Sequence, residues 1–367
     1  MTKMTDTFVF PSGLELKNRT VLAPMTNYMS FFDGTVTTDE LNYYRMRSGE
    51  IGAVITAAAN VQPDGQIAGG QWGIYDDKFI PSLAKVASAI KKNGTKAILQ
   101  LFHAGRMTNS AVLGGTQIVA PSAVAAERPD AQIPREITSE EVLQLIENFK
   151  LATERAMKAG FDGVEFHGGN TYMIQQFFSP HSNRREDEWG GSLENRFKFV
   201  EKLVDAVIDF VEQSGKKEFI VGYRFSPEEY ETPGISLEDT LYLVDKLSDK
   251  KIDYLHISLG NYDKVSISDD YKEKSIIEYI NEKIAGRVPF IGVGDVRTKK
   301  DVEKVLDNAD LVAIGRAMLF DPHWVSKTID GHEELIRREL NRYDTEELII
   351  SEGIWGNLED TTPERLK

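Results

Sequence analysis

Residues 163–197 read GVEFHGGNTYMIQQFFSPHSNRREDEWGGSLENRF. The stretch begins with Val164–Phe166, a run typical of a strand buried on both faces. His167, Asn170 and Tyr172 then follow within six residues, at the point where we expect the strand to end. In a closed α/β barrel the chemistry collects at the carboxyl ends of the strands. The stretch therefore predicts both a barrel strand and a catalytic site at its end.

The rest of the chain repeats this order of strand and helix. Short, nearly all-apolar runs alternate with longer amphipathic ones, as in repeated βα units. Eight runs qualify as strands: Thr20–Ala23, Ala53–Ala57, Ala97–Leu101, Gly163–Phe166, Phe219–Arg224, Tyr254–Ser258, Pro289–Val293 and Leu311–Gly315. Eight such units predict an α/β protein in which residues 1–367 form a single (β/α)₈ TIM barrel.

Helical patterns lie between the strand candidates. The predicted helices are Ile80–Lys92, Ser139–Ala159 with Ser139 as its N-cap, Leu193–Glu212, Leu237–Leu247, Ser275–Ile284 and Lys299–Leu306. Two stretches exceed a minimal barrel. Phe102–Ile137 is an extended loop between the third strand and the third helix, and loops of this length are often lids or secondary hairpins. Tyr343–Lys367 forms a C-terminal tail.

An open, doubly wound sheet is the main alternative fold. Its dinucleotide-binding form carries Gly-x-Gly-x-x-Gly directly after the first strand. Here the first strand ends in Ala23, Pro24, Met25 and Thr26. We therefore favour the barrel.

Composition narrows the range of functions. The formal net charge of −15 would repel a polyanion, so we expect no nucleic acid partner. The chain has no cysteine, which excludes thiolate metal sites, a cysteine nucleophile and cysteine-ligated iron–sulfur clusters. The first ten residues, MTKMTDTFVF, lack a signal-peptide layout, and no apolar run approaches the roughly 20 residues of a membrane span. We therefore expect a cytoplasmic protein without a membrane partner. The sequence has no pair of histidines at metal-binding spacing, so we expect no metal site.

Two glycine-containing turns follow the seventh and eighth strands. They contain Gly294 and Asp295, and Gly315 and Arg316. In many barrels these two loops bind a phosphate through backbone N–H groups and helix N-termini. Glycine lets the backbone approach the anion closely, and an arginine adds a bidentate cation. Ordinary loop glycines are the alternative, but the pairing at these two strands favours a phosphate site.

The residues after the fourth strand predict chemistry at a carbonyl group. His167 and Asn170 can together hold a carbonyl oxygen as negative charge builds on it, and Tyr172 can supply a proton. The stretch closely resembles the old yellow enzyme family of FMN-dependent ene-reductases. That family's pattern is His-x-x-(His/Asn)-x-Tyr, followed by a loop that ends near Gly-Gly-Ser-x-x-Asn-Arg. The loop residues here are Gly190, Gly191, Ser192, Asn195 and Arg196.

The resemblance implies an oxidoreductase with tightly bound FMN and two half-reactions. NADH or NADPH would reduce the flavin, and a small oxidant such as an enone would then take the hydride. His167 and Asn170 would bind the carbonyl of the substrate, Tyr172 would protonate it, and Tyr28 would face it or pack in the core. Gly294–Asp295 and Gly315–Arg316 would hold the FMN phosphate.

The resemblance also implies a set of residues around the flavin ring. Gln100 would meet the imide edge of the ring, Arg224 would place positive charge near N1 and O2, and Thr26 would donate to O4. The full set is Ala23, Pro24, Met25, Thr26, Ala58, Gln100, His167 and Arg224.

Other readings stay open at this point. A phosphate-binding barrel isomerase or aldolase would need no flavin, and Glu165 is its best candidate base. A noncatalytic flavin-binding redox sensor would bind FMN without turnover. We expect His256 to be buried packing, His103 and Arg106 to support the site, and His181 to be a loop or surface residue.

The resemblance bears on assembly as well. Bacterial relatives often form homodimers or homotetramers in which a C-terminal arginine reaches the pocket of a neighbouring subunit. Arg365 in the tail would take this role, with the tail at a subunit interface, or would be an ordinary exposed residue.

Overall fold

A computed structural model describes residues 2–367. Eight parallel strands close into a barrel in chain order, and the last pairs with the first. They are β1 (Thr20–Leu22), β2 (Ala53–Asn60), β3 (Lys96–Phe102), β4 (Gly163–Gly168), β5 (Ile220–Phe225), β6 (Tyr254–Ile257), β7 (Phe290–Val293) and β8 (Leu311–Ile314). The predicted (β/α)₈ barrel is confirmed. One boundary matters: β4 continues to Gly168, so His167 lies inside the strand and not just past its end.

Twelve α-helices surround the barrel or extend from it. They are α1 (Thr38–Met46), α2 (Ile80–Lys91), α3 (Ser139–Lys158), α4 (Met173–Phe178), α5 (Leu193–Ser214), α6 (Leu237–Ser248), α7 (Ile276–Ile284), α8 (Lys299–Leu306), α9 (Arg316–Phe320), α10 (Trp324–Ile329), α11 (Asp344–Leu348) and α12 (Glu352–Thr361). No helix among residues 2–367 is long and apolar enough to cross a bilayer.

The start of α3 corrects the predicted N-cap. Thr138, not Ser139, caps the helix: its hydroxyl accepts from the backbone N–H of Glu141, and the Glu141 carboxylate accepts from the N–H of Thr138. Both residue types suit an N-cap, but only Thr138 has the glutamate three positions later that closes this reciprocal pair.

Burial explains why the strands are so apolar. Every residue of β2 and β4 is buried, because the barrel interior fills one face of each strand and the helices cover the other. A two-stranded antiparallel ribbon, Phe8–Val9 with Glu15–Leu16, precedes the first barrel strand in the chain. After its first strand, the ring of Phe10 packs 5.8 Å from that of Tyr254 in β6. These contacts leave the carboxyl ends of the strands as the open mouth.

The two short strands of the extended loop do not form an antiparallel hairpin. The loop contains a 3₁₀ turn at Gly105–Met107 and two short strands, Val119–Ala120 and Arg135–Glu136, which pair in parallel. The tail is more closely tied to the barrel. The Leu340 N–H donates to the carbonyl of Arg365 (3.0 Å), and the Ser351 hydroxyl donates to the carbonyl of Asn27. The tail thereby lies over the mouth of its own barrel.

Candidate active site

The mouth of the barrel holds a cleft made of two adjoining cavities. We call the first, of about 310 Å³, the strand-four cavity, because it contains His167 and Tyr172. The second, of about 400 Å³, contains Asp295 and Gly315, and we call it the strand-eight cavity. Six residues line both: Pro24, Met25, Asn170, Arg224, Arg316 and Asn357. A ligand can therefore extend from one cavity into the other.

Nearly all of the predicted site residues lie in this cleft. The strand-four cavity is lined by Pro24, Met25, Thr26, Tyr28, Ala58, Gln100, His167, Asn170, Tyr172, Arg224 and Arg316, and the strand-eight cavity adds Ala23, Asp295 and Gly315. Tyr28 is 36% exposed and faces the cavity, so it is not a core residue.

Strand register accounts for part of this convergence. In the parallel pairing of β4 with β5, His167 lies opposite Arg224. In the pairing of β2 with β3, Ala58 lies opposite Gln100, after a register shift that follows Ile55. Bulges of this kind re-aim side chains at barrel rims. Residues that are more than 40 positions apart along the chain thus become neighbours at one edge.

His167 is held as a neutral imidazole. It is only 5% exposed, and its ring packs 4.9 Å from the ring of Tyr172 in a T-shaped contact. Burial, helped by the positive charge of Arg224, lowers its pKa well below the ordinary value. Its Nδ1 is buried without a hydrogen-bond partner among residues 2–367. A neutral imidazole has one N–H, so His167 can donate one hydrogen bond.

Asn170 is positioned by two hydroxyl groups. Its Oδ1 accepts from Ser226 Oγ (3.2 Å) and from Ser258 Oγ (3.0 Å). The side-chain amide nitrogen then donates to no atom of residues 2–367 and is available to the cleft. The backbone turns sharply here, with φ of 54° at Asn170 and 63° at Thr171. Asparagine tolerates this left-handed conformation, whereas a β-branched residue such as Thr171 does so only at a cost.

Tyr172 keeps its proton. Its ring packs against the rings of His167 and Phe102, the latter at a centroid distance of 5.1 Å. Burial, and then the proximity of Tyr28, raises the pKa of Tyr172 to about 12. The phenol therefore remains an O–H donor across the neutral range.

A buried polar network lies beneath the strand-four cavity. Glu165 is fully buried and accepts three hydrogen bonds, from Gln100 Nε2 (2.7 Å), Tyr254 O–H (3.0 Å) and His256 Nδ1 (2.8 Å). The bond from Gln100 fixes the orientation of its amide, which leaves Oε1 as the acceptor not engaged by Glu165. The prediction that His256 is mere packing is therefore incomplete, because its ring supports this carboxylate.

Arg224 brings a buried cation to the cleft. Its guanidinium reaches the carbonyl of Pro24 (3.5 Å) and Ser258 Oγ (3.1 Å), while Nε is buried without a partner among residues 2–367. Burial lowers its pKa, and the charge of Glu165 opposes this shift. A buried donor with no acceptor in the protein fits a ligand that brings an acceptor or negative charge.

The strand-eight cavity carries an excess of positive charge. Arg316 and Arg297 both approach the Asp295 carboxylate, at 3.6 Å and 2.8 Å. Arg365 from the tail lines the same cavity. Besides Arg224, which lines both cavities, these three guanidinium groups and one carboxylate leave a formal excess of two positive charges around Asp295. The prediction of a phosphate site did not include Arg297 or Arg365, and only Arg297, two residues after Asp295, was close enough in sequence to be suspected.

Two sequence predictions stand differently from the rest. Gly294 does not line either cavity. Its φ is 138°, and a Cβ there would lie 2.4 Å from the backbone nitrogen of Tyr262, so this glycine permits close packing of two loops. His181 lies in a turn, as expected of a loop residue, but it is buried: its Nδ1 lies 3.1 Å from Arg106 Nη2, and its Nε2 lies 3.1 Å from Glu127. His103 and Arg106 are buried outside the cavities, which is consistent with support.

The cleft suits an elongated, polar cofactor with an anionic end. A planar ring fits the strand-four cavity, where Gln100 Oε1 can accept and Arg224 can donate, and a phosphate fits the arginines of the strand-eight cavity. A cleft of this kind at the carboxyl end of a (β/α)₈ barrel fits the flavin-binding class of barrel proteins. The sequence profile of the NADH:flavin oxidoreductase / NADH oxidase family matches residues 11–334, and the chain belongs to this family, the old yellow enzyme family. FMN and NADH or NADPH are the cofactors expected of a member of this family.

Curated relatives include proteins of very different lengths. The chain is 43% identical over 355 residues to the probable NADH-dependent flavin oxidoreductase YqiG of Bacillus subtilis, an alignment that covers 96% of this chain and 95% of that protein. It is 46% identical to NADH:acrylate oxidoreductase of Vibrio harveyi, and this alignment covers 90% of this chain but only 33% of that protein. For NADH:fumarate oxidoreductase of Klebsiella pneumoniae the identity is 46% and the coverages are 95% and 38%. The chain thus spans about a third of the length of these last two relatives.

Solved structures show the same architecture. The old yellow enzyme homologue from Zymomonas mobilis superposes with a TM-score of 0.78 at 26% identity, covering 90% of this chain and 93% of that one. Morphinone reductase in complex with tetrahydroNAD gives a TM-score of 0.77 at 27% identity, covering 90% and 92%.

Proposed function

We propose that this protein reduces the activated carbon–carbon double bond of small α,β-unsaturated carbonyl compounds at the expense of NADH or NADPH. FMN, when bound, would supply the hydride, which would come from the nicotinamide. One observation carries the proposal: an uncharged imidazole, an amide with a free N–H and a protonated phenol line the same cavity.

His167 and Asn170 are suited to hold the carbonyl oxygen of the substrate. Reduction at the β-carbon pushes negative charge onto that oxygen. Fixed donors then bind the transition state more strongly than the ground state, which is the condition for catalysis. Asn170 is held ready by Ser226 and Ser258, so its amide need not reorganise. Loss of one such donor typically costs about 10²–10³ in rate.

Tyr172 is suited to protonate the α-carbon. Its raised pKa keeps the proton in place until a strongly basic carbon develops nearby. General acids of this kind contribute roughly 10²–10⁴ in rate.

The two donors suit the carbonyl oxygen of an enone or enal. His167 and Asn170 are both uncharged hydrogen-bond donors, and such donors hold an oxygen on which negative charge develops. The Vibrio and Klebsiella relatives are named for acrylate and fumarate, but each has about two-thirds of its length outside the region matched here. Their substrates are therefore not taken over for this chain.

The isomerase or aldolase alternative loses its best base. Glu165 is fully buried and already accepts three hydrogen bonds, so it cannot reach a substrate in the cleft. The redox-sensor alternative differs from the proposal only in turnover and is decided by experiment.

A visible absorption spectrum and one assay of NADH or NADPH oxidation test the proposal. We expect the purified protein, after incubation with FMN, to absorb as a flavoprotein and to oxidise NADH or NADPH faster when cyclohexenone is added. A colourless protein would refute flavin binding. A yellow protein that oxidises NADH or NADPH at the same rate with and without cyclohexenone would refute enone reduction and favour the redox-sensor alternative.

A variant then tests the role of His167. His167→Ala should keep FMN but lower the rate of the cyclohexenone half-reaction by about 10²–10³, since one donor to the carbonyl oxygen is lost. His323→Ala is the matched control, because His323 is an exposed histidine away from the cleft. An unchanged half-reaction in His167→Ala would rule out the anchoring role.

A further inference from the structure

We infer that the C-terminal segment of the same chain completes the cofactor-phosphate site, with Arg365 as its third cation. In this arrangement the tail helps the protein to distinguish FMN from riboflavin. The inference rests on FMN being the cofactor and adds a specificity-determining residue in a segment beyond the matched family region, which ends at residue 334.

Arg365 is fixed in place but electrostatically unsatisfied. Its guanidinium carbon lies 3.9 Å from the ring centroid of Phe320, and its Nε donates to the carbonyl of Arg338 (2.8 Å). Within residues 2–367 its two terminal nitrogens make no hydrogen bond, and the side chain forms no salt bridge. Stacking and one hydrogen bond thus set its direction and leave two nitrogens free to donate into the strand-eight cavity.

The cations around Arg365 favour an anion among them. Arg297 and Arg316 line the same cavity and repel it, and they share the single carboxylate of Asp295. Burial and the two nearby guanidinium groups lower the pKa of Arg365. A phosphate monoester carries close to two negative charges at neutral pH, which matches the formal excess of two positive charges on the cluster of Arg297, Arg316, Arg365 and Asp295.

The tail is joined to the cavity at several points. Asn357 and Thr361 of α12 line the strand-eight cavity, and the carbonyl of Thr361 accepts from Arg316 Nη1 (3.5 Å). The backbone around Arg365 is paired with Leu340 on both sides, through Leu340 N–H to Arg365 and Lys367 N–H to Leu340 (2.9 Å). Docking of the tail and binding of the phosphate are therefore coupled, and such coupling is reciprocal.

All of these contacts lie within one chain. The structure places Arg365 in the cavity of its own barrel, so the tail of the same chain supplies this cation.

Flavin titrations of the apoprotein test the inference. FMN and riboflavin are titrated separately and followed by flavin fluorescence. We expect Arg365→Ala to weaken FMN binding about tenfold, the scale of one charge-assisted hydrogen bond, and to leave riboflavin binding unchanged. Lys367→Ala is the matched control, since it removes a tail cation that pairs with Glu339 outside the cavity, and both affinities should stay at the wild-type values.

The outcomes separate the inference from the proposed function. Equal FMN affinity in wild type and Arg365→Ala, or equal losses for FMN and riboflavin, would overturn the phosphate role of Arg365 alone. Wild-type protein that binds neither flavin would overturn the proposed function as well. Arg365→Lys guards against misfolding of the alanine variant: it keeps the charge and should recover part of the preference for FMN, and no recovery would count against the inference.

Discussion

Replacement of Glu165 by glutamine tests whether the buried network under the cleft stabilises the barrel. The carboxylate accepts three hydrogen bonds at 2.7, 3.0 and 2.8 Å and is fully buried. A glutamine has the same shape, but its amide oxygen has two acceptor sites and its NH₂ group must face one of the three donors. At least one donor is therefore left unpaired or repelled.

The expected magnitude follows from these contacts. Hydrogen bonds to a charged group are worth about 1.5–3 kcal/mol each, and removing one partner from a buried charged network costs about 3–5 kcal/mol. Glu165→Gln keeps the volume and some hydrogen bonding, so we expect the free energy of unfolding to fall by about 3 kcal/mol. The pKa of Glu165 is lowered despite its burial, chiefly by His256, which indicates that the protein favours the ionised form.

Chemical denaturation of the apoprotein, followed by tryptophan fluorescence, measures this loss. Glu334→Gln removes the same charge at an exposed position and should change the stability by no more than about 0.5 kcal/mol. If Glu165→Gln were as stable as Glu334→Gln, the network would not stabilise the fold and the reasoning would be refuted.

Two further predictions concern protonation. Burial raises the pKa of Glu40 to about 7 from an ordinary value of 4.5, so its contribution to stability is full below pH 4.5 and is lost as the pH rises through 7. The loss in the free energy of unfolding should be about 3 kcal/mol. Glu40→Gln should flatten the dependence of this free energy on pH between pH 4.5 and 7, as measured by urea denaturation at each pH. The same pH dependence in wild type and Glu40→Gln would contradict this prediction. Tyr172→Phe should slow cyclohexenone reduction by about 10²–10⁴ while reduction of the flavin by NADH proceeds at the wild-type rate in stopped-flow measurements. Equal slowing of both half-reactions would show that Tyr172 only shapes the cavity.

Local patterns in the sequence were enough for the barrel and for the core of the site. Apolar runs such as Val164–Phe166 predicted buried parallel strands, because a strand that is covered on both faces has no solvent-exposed face that needs polar side chains. The spacing of His167, Asn170 and Tyr172 could be read directly, since His167 lies at the end of β4 and the other two follow on the turn after it. Boundaries were less exact, and the extra residues of β4 follow from pairing with β5, which no single segment encodes.

Contacts between distant segments were decided only by the tertiary structure. Ser226 and Ser258 orient Asn170, and His256 supports Glu165, yet nothing in their local sequence distinguishes them from ordinary strand-end residues. Arg365 reaches the strand-eight cavity only because the tail folds back across the mouth of the barrel. The periodicity of apolar residues shows which face of a segment is buried, and it is a property of a short stretch of sequence. Barrel closure and strand register decide which side chains meet, and both depend on pairing between segments that are distant in the chain.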